Sequence, residues 1–408
     1  MSESGEREIA ALIAAQPARR SLLQPFYRDP LLFRRDIERI FMRHWLCVGH
    51  VSSLKAVGDF KTVEIADESA IVIRGKDGEL RAFVNVCRHR GSRICAKESG
   101  RSASLVCPYH GWTYGLDGKL EAARHMPGDF DLASYELKRL HLRVIEGLIL
   151  MSFAEVPLSL DNAETTLRTC FGPFDWARAR VAHRERYAIA ANWKLAVENY
   201  LECYHCAPAH PEYSRLHALE QPPARIERMN QKLRNRAAVL GTDAPTRNHW
   251  ASSDSGGEAV FGFRYPLYEG VETGSENGRC VAPLMGNLRG CDGGATSVHF
   301  GPASFFLAYV DHGVIYRFLP RAVDRTEMEV IWLVREDARS GADFDPAKLT
   351  WLWRVTSEAD QRIIEQNQLG VASRYYAPGP YAPMEANTSR YVAWYLHEIS
   401  SPTQNEAR

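Results

Sequence analysis

Two short segments in the first third of the chain carry residues with the types and spacing to hold an iron–sulfur cluster. They are Cys87-Arg88-His89 and Cys107-Pro108-Tyr109-His110. Each offers one thiolate and one imidazole from a tight loop, beside Gly91 in one and Gly111 in the other. Two thiolates on one iron and two imidazoles on the other make a mixed-ligand 2Fe–2S centre, with a potential above that of an all-cysteine cluster. Zinc is the competing reading. Zinc fingers, however, group their ligands as C-x2-C and then H-x3-H, whereas each loop here supplies one of each. The four residues are therefore read as ligands of one 2Fe–2S cluster of the Rieske type. No extra cysteine sits in either loop to form the disulfide of high-potential clusters, and Cys95 has no evident partner. The potential is expected toward the low end of the range.

A second constellation lies in Glu202-Cys203-Tyr204-His205-Cys206-Ala207-Pro208-Ala209-His210, an E-x2-H-x4-H pattern. Glu202 and His205 are three apart, which predicts one shared helix face. His210 leaves that face, and Pro208 is expected to break the helix so that a turn returns His210 to the same metal. Two histidines need a carboxylate to complete the facial triad of non-heme Fe(II) oxygenases, which keeps positions open for dioxygen. Residues 356–364 offer Asp360 and Glu358, and local pattern does not choose between them. Cys203-x2-Cys206 suggests a redox pair or half a zinc site, but no second cysteine pair lies nearby in sequence. Cys203 is read as pocket lining.

The bulk numbers suit such an enzyme. The chain has 408 residues, 45% hydrophobic, with 50 basic and 50 acidic side chains. That length allows two or three domains. Balanced charge without a basic run argues against a nucleic-acid footprint. Apolar runs are too short for a membrane span, and no secretory signal pattern opens the chain, so a cytoplasmic location is expected. Nine cysteines at irregular spacing argue for metal ligation by a subset and against a disulfide framework.

Residues 2–20 are polar and Ala-rich and read as a mobile lead-in. Apolar residues at helical spacing across 30–45 (Leu32, Ile37, Ile40, Phe41, Trp45) predict one amphipathic helix. Alternation at 60–65, the run 70–73, the Lys76-Asp77-Gly78 turn and the run 80–86 predict hairpin-linked strands. A small antiparallel β unit over about 41–153 follows. Beyond it, 192–206 has helical composition, 313–319 and 328–334 read as strands, and 350–368 as a long helix ended by Gly370. The Gly-rich stretch 256–294 reads as loops.

Together these motifs resemble the α subunits of Rieske non-heme iron ring-hydroxylating oxygenases, over nearly the whole chain. The resemblance is strongest to the branch acting on quaternary ammonium compounds, such as glycine betaine and stachydrine demethylases. It rests on 85–91 (NVCRHRG), 202–206 (ECYHC) and 376–381 (YAPGPY). It implies an α+β fold with an antiparallel β Rieske domain inserted before a helix-grip (START-like) catalytic domain. The division would be 1–40 as an N-terminal segment packing on the catalytic domain, 41–155 as the Rieske domain and 156–408 as the catalytic domain.

The resemblance also implies one 2Fe–2S cluster and one mononuclear Fe(II) held by His205, His210 and Asp360, which selects Asp360 over Glu358. It implies a homotrimer in which an electron crosses from His110 of one subunit to His205 of the next through a bridging carboxylate. That bridge is usually Asp; Glu202 stands here, as in the quaternary-ammonium branch. Asn199 is a further catalytic candidate. The partners implied are an NAD(P)H-dependent flavin/iron–sulfur reductase, O2 and a small substrate, most simply an N-methyl group lost as formaldehyde in a monooxygenase reaction. The alternatives are an aromatic-acid or ring-hydroxylating oxygenase with the same irons, and a plain electron carrier, which would not need the second iron site. For the pocket, Tyr200, Cys203, Trp250, Phe261, Phe263, Tyr265, Phe305 and Tyr309 are candidates, as an aromatic cage for a cation or a stacking surface for a ring. Arg264, His299 and His312 are available for a substrate carboxylate.

Overall fold

The computed structural model describes residues 3–218, 222–243, 247–249 and 255–400. Two seven-stranded antiparallel sheets form its frame. The first runs in the order Leu46–His50, Leu148–Ser152, Arg139–Ile145, Leu80–Val84, Glu68–Arg74, Asp59–Ile65 and Ser99–Arg101. Alongside it, Leu105–Val106, Thr113–Tyr114 and Leu120–Ala122 make a three-stranded sheet. The second large sheet runs Arg180–Ile189, Arg325–Val334, Gly313–Ala322, Ser304–Ala308, Gly294–Phe300, Val260–Pro266 and Arg247–His249.

The helix Pro346–Val371 packs on the edge strand Arg180–Ile189 and on the helix Trp193–Tyr200. Asp345 caps its start by accepting from Ala347 N at 2.8 Å, with Pro346 in the first turn where no partner for its nitrogen is needed. Asn192 caps Trp193–Tyr200 in the same way through Lys194 N at 3.1 Å. This α+β arrangement, a long helix over a curved sheet beside a smaller β unit, is the one the resemblance implies. No described helix is long and apolar enough to cross a membrane.

Several local expectations change. The lead-in is a helix, Glu3–Ala15, that buries Ile9 and pairs Glu6 with Arg35 at 2.7 Å; Ile9, Leu12 and Ile13 supply an apolar stripe. The helix over 30–45 is shorter. Pro30–Asp36 gives way to a wider π turn, Ile37–Phe41, where Met42 N reaches back to Ile37 O, and Trp45 lies beyond it. The stretch 256–294 contains the strand Val260–Pro266. Its glycine is a packing requirement, since a Cβ on Gly262 would come within 3.0 Å of Thr166 and 3.2 Å of Cys170. Gly370 lies inside the last turn of the long helix, which ends at Val371.

One buried cluster joins the chain's two ends to the second sheet. His44 pairs through Nδ1 with Glu258 at 2.8 Å and through Nε2 with Glu398 at 3.3 Å, all three fully buried. Burial alone would lower the imidazole, but the carboxylates of Glu258 and Glu398 overcome it and hold His44 at about 9. A group raised on folding contributes fully below its unfolded value, about 6.5, and that contribution fades as pH rises through about 9. The wild-type protein is therefore expected to lose up to roughly 3 kcal/mol across this interval. A His44→Phe variant should lack that slope in denaturant unfolding at stepped pH, and equal slopes would refute the assignment.

Candidate active site

The cluster-loop residues form a matched pair. In the first loop Cys87 N–H donates to Ser92 O at 2.8 Å and Gly91 N–H to Cys87 O at 3.0 Å. In the second Cys107 N–H donates to Trp112 O at 2.8 Å and Gly111 N–H to Cys107 O at 3.0 Å. Gly91 and Gly111 take φ of 76° and 72°, the left-handed region each turn needs to close. His89 and His110 face each other with ring centroids 4.6 Å apart, and His89 stacks on Trp112 at 4.8 Å. Tyr114 lies under the thiols, its hydroxyl 3.4 Å from Cys87 Sγ, and it also accepts from Arg88 N at 3.0 Å. His110 and Tyr109 are exposed at the tip, Tyr109 by 56%.

The second constellation is assembled from two distant segments. His210 Nε2 lies 2.9 Å and His205 Nε2 3.4 Å from Asp360 Oδ1. The ligand atoms of the three residues fall within 4.8 Å of one another. Asp360 is half-buried, and its loss of solvent would by itself raise its carboxyl; hydrogen bonds from His205 and His210 hold it below its usual value. Burial lowers His205, but Asp360 and Glu202 raise it to about 9. Glu358 is exposed, two residues from Asp360 and thus turned to another face of the helix.

The local path differs from the expected single helix. Trp193–Tyr200 ends before Glu202, and a second short helix, Cys206–Ala209, contains Pro208. The break therefore precedes Glu202. Glu202 and His205 meet across a turn: Glu202 Oε2 accepts from the backbone N–H groups of Tyr204 and His205, and Oε1 lies 2.5 Å from His205 Nδ1. Cys203 and Cys206, weighed from sequence as a redox pair or half a zinc site, are joined by a disulfide that spans this turn. It closes so short a loop that its effect on the unfolded chain is small and local.

A cavity of about 330 Å³ opens on this centre. Asn199, Tyr200, Glu202, Cys203, Phe263 and Tyr265 line it, as does the triad. Phe305 and Tyr309 do not. Phe305 is buried behind Tyr200, stacked at 4.1 Å. Tyr309 is buried with its hydroxyl 2.8 Å from His217 Nε2. Phe261 lies beside Phe263, ring centroids 5.1 Å apart, outside the lining. Trp250 lies outside the described residues.

Lining residues that the sequence reading missed include Tyr213, Trp353, Thr356 and Asn387. Trp353 and Thr356 lie seven and four residues before Asp360, one helix face that becomes legible once Asp360 is chosen. The cationic candidates do not reach the cavity. Arg264 pairs with Asp292, His312 lies 2.8 Å from Asp311, and His299 stacks behind Phe305 at 4.7 Å.

The model of the ring-hydroxylating α subunit catalytic domain matches residues 176–401, and that of the Rieske [2Fe-2S] domain matches 44–136. A glycine betaine monooxygenase oxygenase subunit of Pseudomonas aeruginosa is 37% identical over 405 residues, 97% of this chain and 93% of the relative. The chain belongs to the Rieske ring-hydroxylating oxygenase α subunits. A carnitine monooxygenase oxygenase subunit of Escherichia coli is 37% identical over 196 residues, 46% of this chain and 52% of that one. The crystal structure of the quaternary ammonium Rieske monooxygenase CntA with an inhibitor matches with TM-score 0.71 at 21% identity, covering 97% of each chain. It shows the same fold.

As a Rieske oxygenase α subunit, the chain is a terminal oxygenase component with a 2Fe–2S cluster and a mononuclear iron, which takes electrons from a reductase and uses O2. The residues fit both groups. His89 Nδ1 is buried with no hydrogen-bond partner, an expense a protein bears where a ligand completes the site, and His205 and His210 both turn Nε2 toward Asp360 Oδ1. The donor sets, two thiols with two imidazoles and two imidazoles with a carboxylate, suit the two iron chemistries. Asp360→Ala is expected to cut iron from three to two per chain while the cluster's visible absorption persists, as read by iron quantitation and spectroscopy. Loss of both signals would deny the sites their independence.

Proposed function

We propose that the chain N-demethylates a small quaternary ammonium compound as a monooxygenase, releasing formaldehyde. The observation that carries this is the aromatic wall of the cavity. Among the described lining residues there is no lysine or arginine, while Tyr200, Tyr213, Tyr265, Phe263 and Trp353 supply aromatic faces. Burial keeps Tyr200, Tyr213 and Tyr265 neutral by raising their hydroxyls above the usual value. Such a wall attracts a cation through ring faces, each worth about 0.5–2 kcal/mol, and offers a carboxylate-bearing tail no lysine or arginine. The relatives named for glycine betaine and carnitine support the same class.

In this reading Cys87, His89, Cys107 and His110 hold the cluster, and His205, His210 and Asp360 hold the iron, within a Rieske domain of 41–155 and a catalytic domain of 156–408. The iron supplies dioxygen activation when bound. The protein's own residues position the substrate: the aromatic wall orients one N-methyl group toward the triad. Hydroxylation of that carbon gives a carbinolamine, which collapses to formaldehyde and the demethylated amine. Glu202 fixes the His205 ring through Nδ1 and stands as the bridge to the partner subunit's His110 in a homotrimer. Asn199 stands beside it. Asn199, Glu202 and His205 also line a second cavity of about 380 Å³, so the bridge is approached from two sides. The electron donor is a flavin and iron–sulfur reductase using NAD(P)H.

A panel of betaines and aromatic acids, assayed for NADH-dependent oxygen uptake and formaldehyde, tests the substrate class; a hydroxylated ring without formaldehyde would overturn it. Trp353→Leu is expected to raise KM for the methylated cation about 2- to 30-fold with a smaller change in kcat. Glu202→Gln is expected to leave both metal sites loaded and to stop coupled turnover. Normal turnover in that variant would remove the bridge from the mechanism.

A further inference from the structure

Between the strands Val260–Pro266 and Gly294–Phe300 runs a connection with two cysteines that the oxygenase chemistry does not use. Cys280 and Cys291 bring their Sγ atoms to 3.6 Å, and Glu272 adds a carboxylate oxygen, the three donor atoms lying within 4.8 Å of one another. Both cysteines are free and half-buried. A disulfide requires sulfurs about 2.05 Å apart. Two thiolates on one tetrahedral zinc at about 2.3 Å stand roughly 3.8 Å apart. The observed spacing excludes a disulfide; two thiols in hydrogen-bond contact stand at this distance, and two thiolates on one zinc would need to move apart by only about 0.2 Å.

The surrounding charge separates a metal ligand pair from a reactive pair. Asp311 and Glu272 bear on Cys280, and Glu272, Asp311 and Asp292 bear on Cys291. Nucleophilic cysteines occupy electropositive surroundings that favour the thiolate; here carboxylates oppose it, and a divalent cation would relieve the repulsion. Asp311 is engaged by Thr273, His312 and Val281 N, and Asp292 by Arg264 and Thr242. Those bonds fix both carboxylates in place. Glu272 is the one that faces the thiols: its Oε1 meets the exposed Arg279 at 2.7 Å, while Oε2 accepts from Cys280 N at 3.2 Å and the carboxylate also bonds the Cys280 side chain. The turn that presents these donors is built, with Gly278 at φ 73° and its carbonyl accepting from Glu272 N at 2.7 Å.

We propose that Cys280, Cys291 and Glu272 form a zinc(II) site, with two thiolates, one carboxylate and a water in the fourth position. Binding releases the two thiol protons to solvent and involves no redox change. The ion ties together the two ends of a connection that backs the substrate cavity. A Cβ on Gly274 would lie 2.6 Å from Tyr309, so this loop presses on that ring, and Tyr309 holds His217, which stacks on the lining residue Tyr213 at 3.8 Å. The zinc is thus a structural staple behind the pocket wall.

The test uses the reduced, iron-loaded holoenzyme under anaerobic conditions, treated with zinc chloride and desalted. Metal per chain is measured by mass spectrometry, and alkylation of each cysteine is mapped on peptides. One retained zinc with the iron content unchanged, and Cys280 and Cys291 protected, is the expected result. Cys280→Ser and Cys291→Ser should abolish retention and Glu272→Gln should weaken it, with the cluster spectrum unaltered. The proposal fails if both cysteines alkylate equally with and without zinc. It also fails if the two peptides are found linked as a disulfide, or if zinc is retained only by displacing iron while the cysteines stay reactive. Protection in the wild-type chain decides the matter even where a variant does not fold.

Discussion

The carboxylate of Glu329 is the joint that ties the two large sheets together. It sits on the strand Arg325–Val334, beside the edge strand of the second sheet, with its side chain fully buried, and charges from both sheets converge on it. Lys61 reaches it from the first sheet at 3.2 Å; Arg317 (2.9 Å), Arg184 (3.3 Å) and Arg186 (3.2 Å) reach it from the second. Glu98, beside the first sheet's edge strand, answers the surplus by pairing with Arg184 at 2.8 Å and with Arg186. One carboxylate against so many cations leaves Lys61 the weakest holder of its proton: burial and the facing Arg317 bring it down to about 7. The same cations drive Glu329 well below the usual carboxylate value. A buried ion deprived of its partners costs about 3–5 kcal/mol. The sheets are therefore registered to one another through an arrangement that tolerates no loss of a member. Lys61 and Arg317 also bond the backbone carbonyl of Val48, which extends the joint into the first sheet's edge strand.

The two metal centres draw on this frame differently. Each cluster loop closes on itself through a left-handed glycine and a pair of backbone bonds, so its geometry is local. The mononuclear centre is not local. His205 and His210 follow a helix pinned from outside: Lys194 is ion-paired with buried Asp36, Trp193 Nε1 donates to Asp36 at 2.9 Å, and Glu198 accepts from Tyr27 at 3.0 Å. Asp360 arrives on a different helix 150 residues later. A carboxylate 2.9 Å from one imidazole and 3.4 Å from another holds that spacing only while both helices keep their place against the sheet.

This difference explains what could be read from sequence. The loops around Cys87 and Cys107 were legible because ligand identity, spacing and turn chemistry lie within six residues of each other. The E-x2-H-x4-H residues were legible as a set, while their path was not. Helical composition continues through Leu201, and nothing in the local pattern marks the break that Glu202 makes by taking backbone N–H groups onto its own side chain. Asp360 needed the family resemblance, since the burial that distinguishes it from Glu358 is tertiary. The pocket was the least legible part. Phe263 and Phe305 look alike in sequence, and only the order of strands in the sheet puts one on the cavity and the other behind Tyr200.

Glu202 is best understood through the same geometry. A residue two places past a helix end, asked to satisfy two backbone N–H groups with one oxygen and an imidazole with the other, must fold its side chain back over the turn. The extra methylene of Glu relative to Asp supplies that reach while keeping the same two acceptor oxygens. The helix stops at Tyr200, which leaves only Leu201 before Glu202, so a shorter carboxylate at this position would have to choose between capping the turn and holding His205. Glutamate at position 202 thus suits how early this helix ends.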